Sequence, residues 1–478
     1  MLAVSERHAK TVNPPFQLRA HHADQDPLLR DGRAARPLKV IVDAPVWARI
    51  HGSEDLPDVM LRTLLRVERI NMTLYGDDGP PDGVERRPMD SLFGGGEAIG
   101  WTVVTVTDDQ MVPYEISWTT ETSVSSAALF TDQVLTARMT LEQEQGMADE
   151  RNALLIAVAQ EVGADLLVTE RAPLLDTRLL ERGNCQVVGP ADALALVALY
   201  LRAAGEFITA KLDGWSFTAT RTRFYQQMAE AHLPSLADFV RRAGGSVSAA
   251  RLLTVLSRAR TLFAVRDRIA LLTSEPATED NAEEISLTFT HALVDMVAFH
   301  DVLARIVNEF LELPETDRQW IKWQNQRWRE RATREFAELA ALWSADGYAS
   351  NVNQALRDMR NEIHDVAPSI VPFKDVDGAA RVGLAFHVDV GTKVTMSLDR
   401  ISQGRNYGVR QAFADGHLVD PHLFYEFVLP WMLHSVEDIL GALVRRLPER
   451  ASSEQTSLLP DDVRDEALRA LARIAPRQ

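Results

Sequence analysis

"LKVIVDAPVWA" (38–48) is a nearly unbroken apolar run whose one carboxylate, Asp43, stands where the β-branched residues stop. A strand covered on both faces has this composition, because neither face meets water. A polar residue at its C-terminal end then falls on the edge where sites form in open α/β sheets. Reading outward, "DVMLRTLLRVERI" (58–70) has the spacing of an amphipathic helix. The Gly- and Pro-dense stretch with "GDDGPPDG" and "FGGGEAIG" is expected as a loop, and its glycines do not follow the phosphate-loop pattern. "GWTVVTVTDD" and "YEISWTTETSV" alternate like a hairpin, a strand-rich insertion over about 98–125. "DERNALLIAVAQEVGADLLVTERAPLL" (149–175) gives a helix, a turn at Gly163 and a buried strand, and "CQVVGPADALALVALYLRA" (185–203) supplies another strand and helix. This rhythm predicts parallel strands with helices over 38–205, preceded by a flexible arm at 1–37.

In these stretches the chain resembles the PIN nuclease family over roughly 38–205. "VIVDAPVWA" looks like the family's opening strand, and "DERNALLIAVAQEVGADLLVTERAPLL" like its late Asp-helix-"ADxLVTxDxxLL" segment. The resemblance implies carboxylates converging on Mg²⁺ or Mn²⁺, which activate a water against a phosphodiester. It assigns metal binding to Asp43 and Asp149. The sequence departs from the pattern at Asn152, where a carboxylate is expected, and at Arg171, where "LVTxD" places Asp. Glu170 is the neighbouring substitute, and Asp132 and Glu68 are the candidates for the acid of an intermediate helix. Asp43 and Asp149 also read as ordinary polar residues at strand and helix ends, Asp149 as an N-cap.

From about 206 the pattern turns helical, in "FYQQMAEAHL", "AARLLTVLSRARTLFAVRDRIALL", "EEISLTFTHALVDMVAFHDVLARIVNEFLEL" and "RQWIKWQNQRWRERATREFAELAALW". One β-hairpin is expected, "RVGLAFHVDVGTKVTMSLDRI" (381–401), turning at Gly391. The predicted architecture is an α/β N-terminal domain and a mainly α-helical C-terminal bundle with one hairpin. The bundle is placed at 280–450, after a helical linker region at 206–279 and before a polar tail at 451–478.

Within "NVNQALRDMRNEIHDVAPS" (351–369), Arg357, Arg360, Asn361 and His364 fall at i, i+3, i+4 and i+7, so on a helix they share a face. Guanidinium groups hold a phosphate, and an imidazole moves protons near neutral pH. That set suits RNA cleavage without a metal, in which a ribose 2′-hydroxyl attacks the adjacent phosphate. Equally, it is an exposed polar face whose arginines pair with Asp358, Glu362 or Asp365, worth under about 1 kcal/mol each. The segment resembles the HEPN superfamily, whose motif is an Arg, a polar residue and a His four to six residues beyond the Arg. Arg357-Asp358 followed by His364 meets that spacing, with six residues between. The resemblance covers roughly 280–450. It implies phosphate binding by Arg357, acid/base work by His364, orientation by Asn361 beside Arg360, no cofactor, and a homodimer in which two motifs face each other.

In "RQWIKWQNQRWRERATREF" Trp320, Trp323, Arg327, Trp328, Arg331 and Arg334 fall on one arc of a single helix, where Trp323, Arg327 and Arg331 are candidates for stacking bases and binding phosphates. Buried packing residues overlaid by Arg stems have the same pattern. His387, His417, His422 and His434 show no metal-ligand spacing. With 46% apolar and 25% charged residues the chain can bury a core. Cys185 is the only cysteine, which excludes an intrachain disulfide and a thiolate zinc cluster. A net charge of −17 opposes nucleic acid unless a local basic patch overrides it. No nucleophile elbow, nucleotide-binding glycine loop or Cys-His pair is present. No signal peptide and no stretch of about 18–20 uncharged apolar residues is read, so a cytoplasmic protein without a membrane partner is expected. The two resemblances together imply an RNA-cleaving or RNA-binding protein of the bacterial toxin or phage-defence type, with a neutralising or regulatory protein partner. The alternatives are a Mg²⁺- or Mn²⁺-dependent nuclease in the first domain, or a non-catalytic sensing or assembly protein.

Overall fold

A computed structural model of the chain describes residues 16–18, 26–76, 102–107, 110–114, 136–139, 141–142, 150–175, 185–210, 216–243, 247–275, 277–314, 317, 319–374, 380–413, 416–447, 466 and 468–471. The chain divides into two compact units, Pro15–Ala219 and, from Thr220, the remainder. The division falls beyond 205, and the helices expected as a linker belong to the second unit.

The first unit opens with the hairpin β1 (Leu29–Arg30) and β2 (Arg33–Ala34), turned at Asp31 and Gly32. Both have positive φ, as a primed turn requires. β3 (Leu38–Asp43), α1 (Ala44–Gly52), α2 (Leu56–Leu64), β4 (Ile70–Gly76), β5 (Thr102–Thr107) and β6 (Gln110–Tyr114) follow. Next come α3 (Glu150–Val162), β7 (Leu166–Val168), α4 (Ala172–Leu175), β8 (Gln186–Val188), α5 (Pro190–Ala203) and the hairpin β9 (Ile208–Ala210) and β10 (Ser216–Thr218). The six-stranded sheet runs β6-β5-β4-β3-β7-β8. Its four strands β4, β3, β7 and β8 are parallel, and β5 and β6 are antiparallel. β3 is buried along its length, as its composition predicts.

Three expectations change here. The helix read through Ile70 stops at Leu64, and Ile70, Met72 and Leu74 alternate inward as β4 instead. The hairpin of the insertion is closed by β5 and β6, ahead of the second stretch expected to form it, most of which lies outside the described residues. The arm is fixed at Phe16, Gln17 and Leu18, which are buried, and again from Asp26 on. Arg36 donates from Nη1 and Nη2 to Asp165 Oδ2 and Oδ1, both at 2.7 Å, and Lys39 N donates to the same carboxylate at 2.9 Å. Asp165 is fully buried, so the pair removes an otherwise uncompensated interior charge.

The second unit contains α6 (Arg221–His232), α7 (Pro234–Arg242), α8 (Ala249–Leu272), α9 (Glu279–Phe310), α10 (Gln326–Glu335), α11 (Ala337–Leu342) and α12 (Tyr348–Asp365). β11 (Ser369–Lys374), β12 (Ala380–His387), α13 (Val388–Ser402), β13 (Val409–Phe413), β14 (Gly416–Val419) and α14 (Pro421–Val444) complete it. The helices α8, α9, α12 and α14 pack on one another. The expected lone hairpin is in fact a four-stranded antiparallel sheet, β11-β12-β14-β13. Gly391 is no turn residue. It lies in α13 against the His417 ring of β14, where an added Cβ would collide with ring atoms. The tryptophan-rich segment is likewise not one helix, because Asn325 caps α10 by accepting a hydrogen bond from Trp328 N. α9 and α14 are long and apolar enough to cross a membrane by length and composition, with more than half of each such window buried inside the protein.

Candidate functional site

In the α/β unit the chain steps from β3 to β4 on one side, and later to β7 and β8 on the other. The gap between the C-terminal ends of β3 and β7 is therefore the topological switch point, where open sheets place ligands. Asp43 ends β3 and Thr169 follows β7, in register beside it. The Asp43 carboxylate is buried and already occupied. Its Oδ2 accepts from Arg171 Nε at 2.7 Å and from Thr169 Oγ1 at 3.0 Å, and its Oδ1 accepts from Arg171 Nη2 at 3.0 Å. Arg171 Nη1 also donates to Asn152 Oδ1 at 3.3 Å.

These residues do not fit a divalent cation. A planar guanidinium covers both oxygens of Asp43, and the Asn152 carbonyl is turned toward the same cation. The Glu170 side chain, half exposed, pairs with Arg49 at 3.1 Å, and Arg49 also holds Asp58 at 2.6 Å. Glu68 sits ahead of β4, at the opposite edge of the sheet from Asp43. Asp149 and Asp132 lie outside the described residues. Among the described residues no group of three or more His, Cys, Asp or Glu is arranged to hold a metal.

In the second unit α12 extends one polar row, Asn353, Arg357, Arg360 and His364, along a single face. Its members differ in depth. Asn353 is fully buried, and Arg357 forms an ion pair with Asp301 of α9 that is largely shielded from solvent. Arg360 is half buried and donates to Asn361 Oδ1 at 3.1 Å, while Asn361 and His364 are exposed. The row thus runs from the core to the surface. Beside its inner end lies His300, fully buried, with Nε2 2.7 Å from Ser435 Oγ of α14. Burial first, and then the Arg357 charge, push the His300 pKa down to about 3, so the ring is neutral and places no second cation beside Arg357. Burial also draws the Arg357 pKa down, and Asp301 opposes it.

Sequence reasoning missed His300, Asp301, Asn353 and Ser435. A signal was present for one of them, since Asp301 interrupts the apolar stretch "MVAFHDVLARIV" (296–307) where a partnered charge is required.

Trp323 has no face open to a base. Its ring stacks on Trp343 at 4.4 Å between centroids and 5° between planes, and meets Trp328 edge-on at 5.1 Å. Only Trp320 of this group is exposed, to 52%. Arg327 and Arg331 are exposed on α10, together with Arg334. His387 caps α13, and His417, its pKa lowered by burial, packs under Gly391. Compared with models of known protein families, with curated proteins and with solved structures, the chain finds no match in any of the three.

Proposed function

We propose that the protein acts on RNA and that its chemistry is metal-independent strand cleavage on the outer part of α12. The observation that carries this reading is the graded polar row. Arg357 is locked by Asp301, while Arg360 and His364 emerge to the surface one and two turns further on. A half-buried guanidinium, Arg360, one turn from an exposed imidazole suits a phosphate that must be held while protons move around it. In the reaction O2′ bonds to phosphorus and the P–O5′ bond breaks. One imidazole takes the 2′-hydroxyl proton and another gives a proton to O5′. Each chain offers one His364, so two copies are needed, and the reading includes a homodimer that brings two such residues together. The likeness of "RDMRNEIHD" to HEPN wording supports it, and with it a setting of the toxin or phage-defence type under control of a protein partner.

The α/β unit favours a second role for that half of the chain. With Asp43 neutralised by Arg171, it serves binding or assembly rather than metal-dependent hydrolysis. The test is cleavage of a single-stranded RNA by the intact protein in excess EDTA. Activity is expected to persist in chelator and to fall by a factor of about 10²–10⁴ in His364→Ala. Undiminished cleavage by that variant refutes the α12 mechanism.

A further inference from the structure

Trp328, the tryptophan of α10, turns into the core, and three of the helix's arginines face out. Arg327, Arg331 and Arg334 recur at i, i+4 and i+7, all exposed, with no ion-pair or hydrogen-bond partner among the described residues. Neither acid of the helix forms an ion pair with them. Glu330 Oε1 accepts from Gln326 Nε2 at 2.8 Å, and Glu335 lies 4.0 Å from Arg446. The fourth arginine, Arg329, donates to the Trp323 carbonyl at 3.0 Å. In the same unit Arg241, Arg251, Arg258, Arg268 and Arg445 each hold a carboxylate. So α10, with four Arg and two Glu, is locally cationic in a chain of net charge −17.

The placement also works against the helix itself. The first turn of α10 has no acid and contains Arg327, so a cation sits at the positive end of the helix dipole. That choice weakens a helix but strengthens attraction for an anion. An adjoining face is anchored, because Trp328 is buried and its Nε1 donates to Asn308 Oδ1 at 2.9 Å. Asn308 and Asp301 are seven residues apart on α9, on one face and about 10 Å along its axis. The helix bearing the three arginines and the helix bearing Arg357 are therefore fixed to the same side of one support.

We infer that the exposed face of α10 binds the phosphate backbone of a single-stranded nucleic acid and tracks it beside the α12 row. This rests on the reading above for the class of ligand but not for the chemistry. The ligand carries a line of phosphates, which matches three free guanidinium groups in a row better than a single anion does.

The test measures binding of a labelled oligouridylate to full-length protein in the His364→Ala background, where cleavage cannot interfere. Three phosphate contacts contribute about 2 to the slope of log affinity against log salt. Replacing Arg327, Arg331 and Arg334 together by Gln is expected to lower the slope by that amount. Between about 50 and 150 mM salt, the parent should lose about tenfold more affinity than the Gln variant. The triple Lys variant, which keeps the charges, is expected to retain the parental slope and thereby separates loss of contact from loss of fold. An unchanged slope in the Gln variant, no binding by the parent at low salt, or equally tight binding of polyglutamate by the parent each overturns the proposal. With His364 intact, retained RNA cleavage at saturating substrate by a chain carrying the same three Gln replacements would leave the α12 chemistry standing even then.

Discussion

Replacing Arg171 by Met should strand a carboxylate in the interior. The side chains of Asp43 and Arg171 are 2% and 18% exposed, so water cannot take over from the lost guanidinium. Removing one partner of a buried pair costs roughly 3–5 kcal/mol. The Thr169 hydroxyl remains and offsets about 1 kcal/mol of this, which puts the expected loss near 3. Asp43→Asn in the Arg171→Met background removes the stranded charge, and the double variant should recover about 2 kcal/mol relative to the sum of the single changes. The measurement is urea unfolding of the full chain, followed by circular dichroism and tryptophan fluorescence so that the transitions of the two units are resolved. Mg²⁺ or Mn²⁺ should leave the wild-type midpoint where it is, since a ligand stabilises only a state that binds it. A loss below about 0.5 kcal/mol in Arg171→Met, an additive double variant, or a wild-type midpoint raised by either metal would refute the reasoning.

Three further outcomes follow from the helical unit. His300 and His232 have pKa values lowered by burial to about 3 and about 4, so below the ordinary value near 6.5 the unfolded chain binds protons that the folded one refuses. Stability should therefore fall as pH drops from about 6.5, by about 2 kcal/mol per histidine at pH 5; a urea midpoint flat between pH 7 and 5 contradicts this. Gly391→Ala should cost about 1–3 kcal/mol through overpacking against His417, and His417→Ala in that background should return much of it in thermal unfolding. Trp323→Ala should cost about 3–5 kcal/mol yet leave oligouridylate affinity of the folded protein unchanged, whereas weaker binding at equal folded fraction would show the ring meeting a base.

What could be read from the sequence depended on how local the physical cause was. β3 was legible because a strand covered on both faces needs no partner to declare itself, and α8 because its period persists over 24 residues. β4 was hidden, since "RVERI" continues the helical spacing of α2 up to the residue where the strand begins. The second sheet was hidden because β11 contains Pro372, β13 has Arg410 and Gln411 between its apolar ends, and Gly391 imitates a turn while serving a close helix-strand contact. The phasing of Arg357, Arg360, Asn361 and His364 was legible, but their depth was not. Depth is set by α9, whose Asp301 lies 56 residues away in the chain. At the switch point the substitutions Asn152 and Arg171 were visible as departures. Their meaning, a guanidinium bonded to both oxygens of Asp43, needed three segments brought together.

The clamp of Arg36 on Asp165 fixes where the α/β unit can be cut. A fragment begun at Leu38, the first residue of the strand that defines the sheet, would keep all six strands of that sheet and still bury the Asp165 carboxylate without its guanidinium partner. It would also lose the Arg36 carbonyl, which accepts the Tyr200 hydroxyl proton from α5. The physical beginning of this unit therefore lies upstream of its sheet, and a separable fragment has to include at least the segment from Asp26 on.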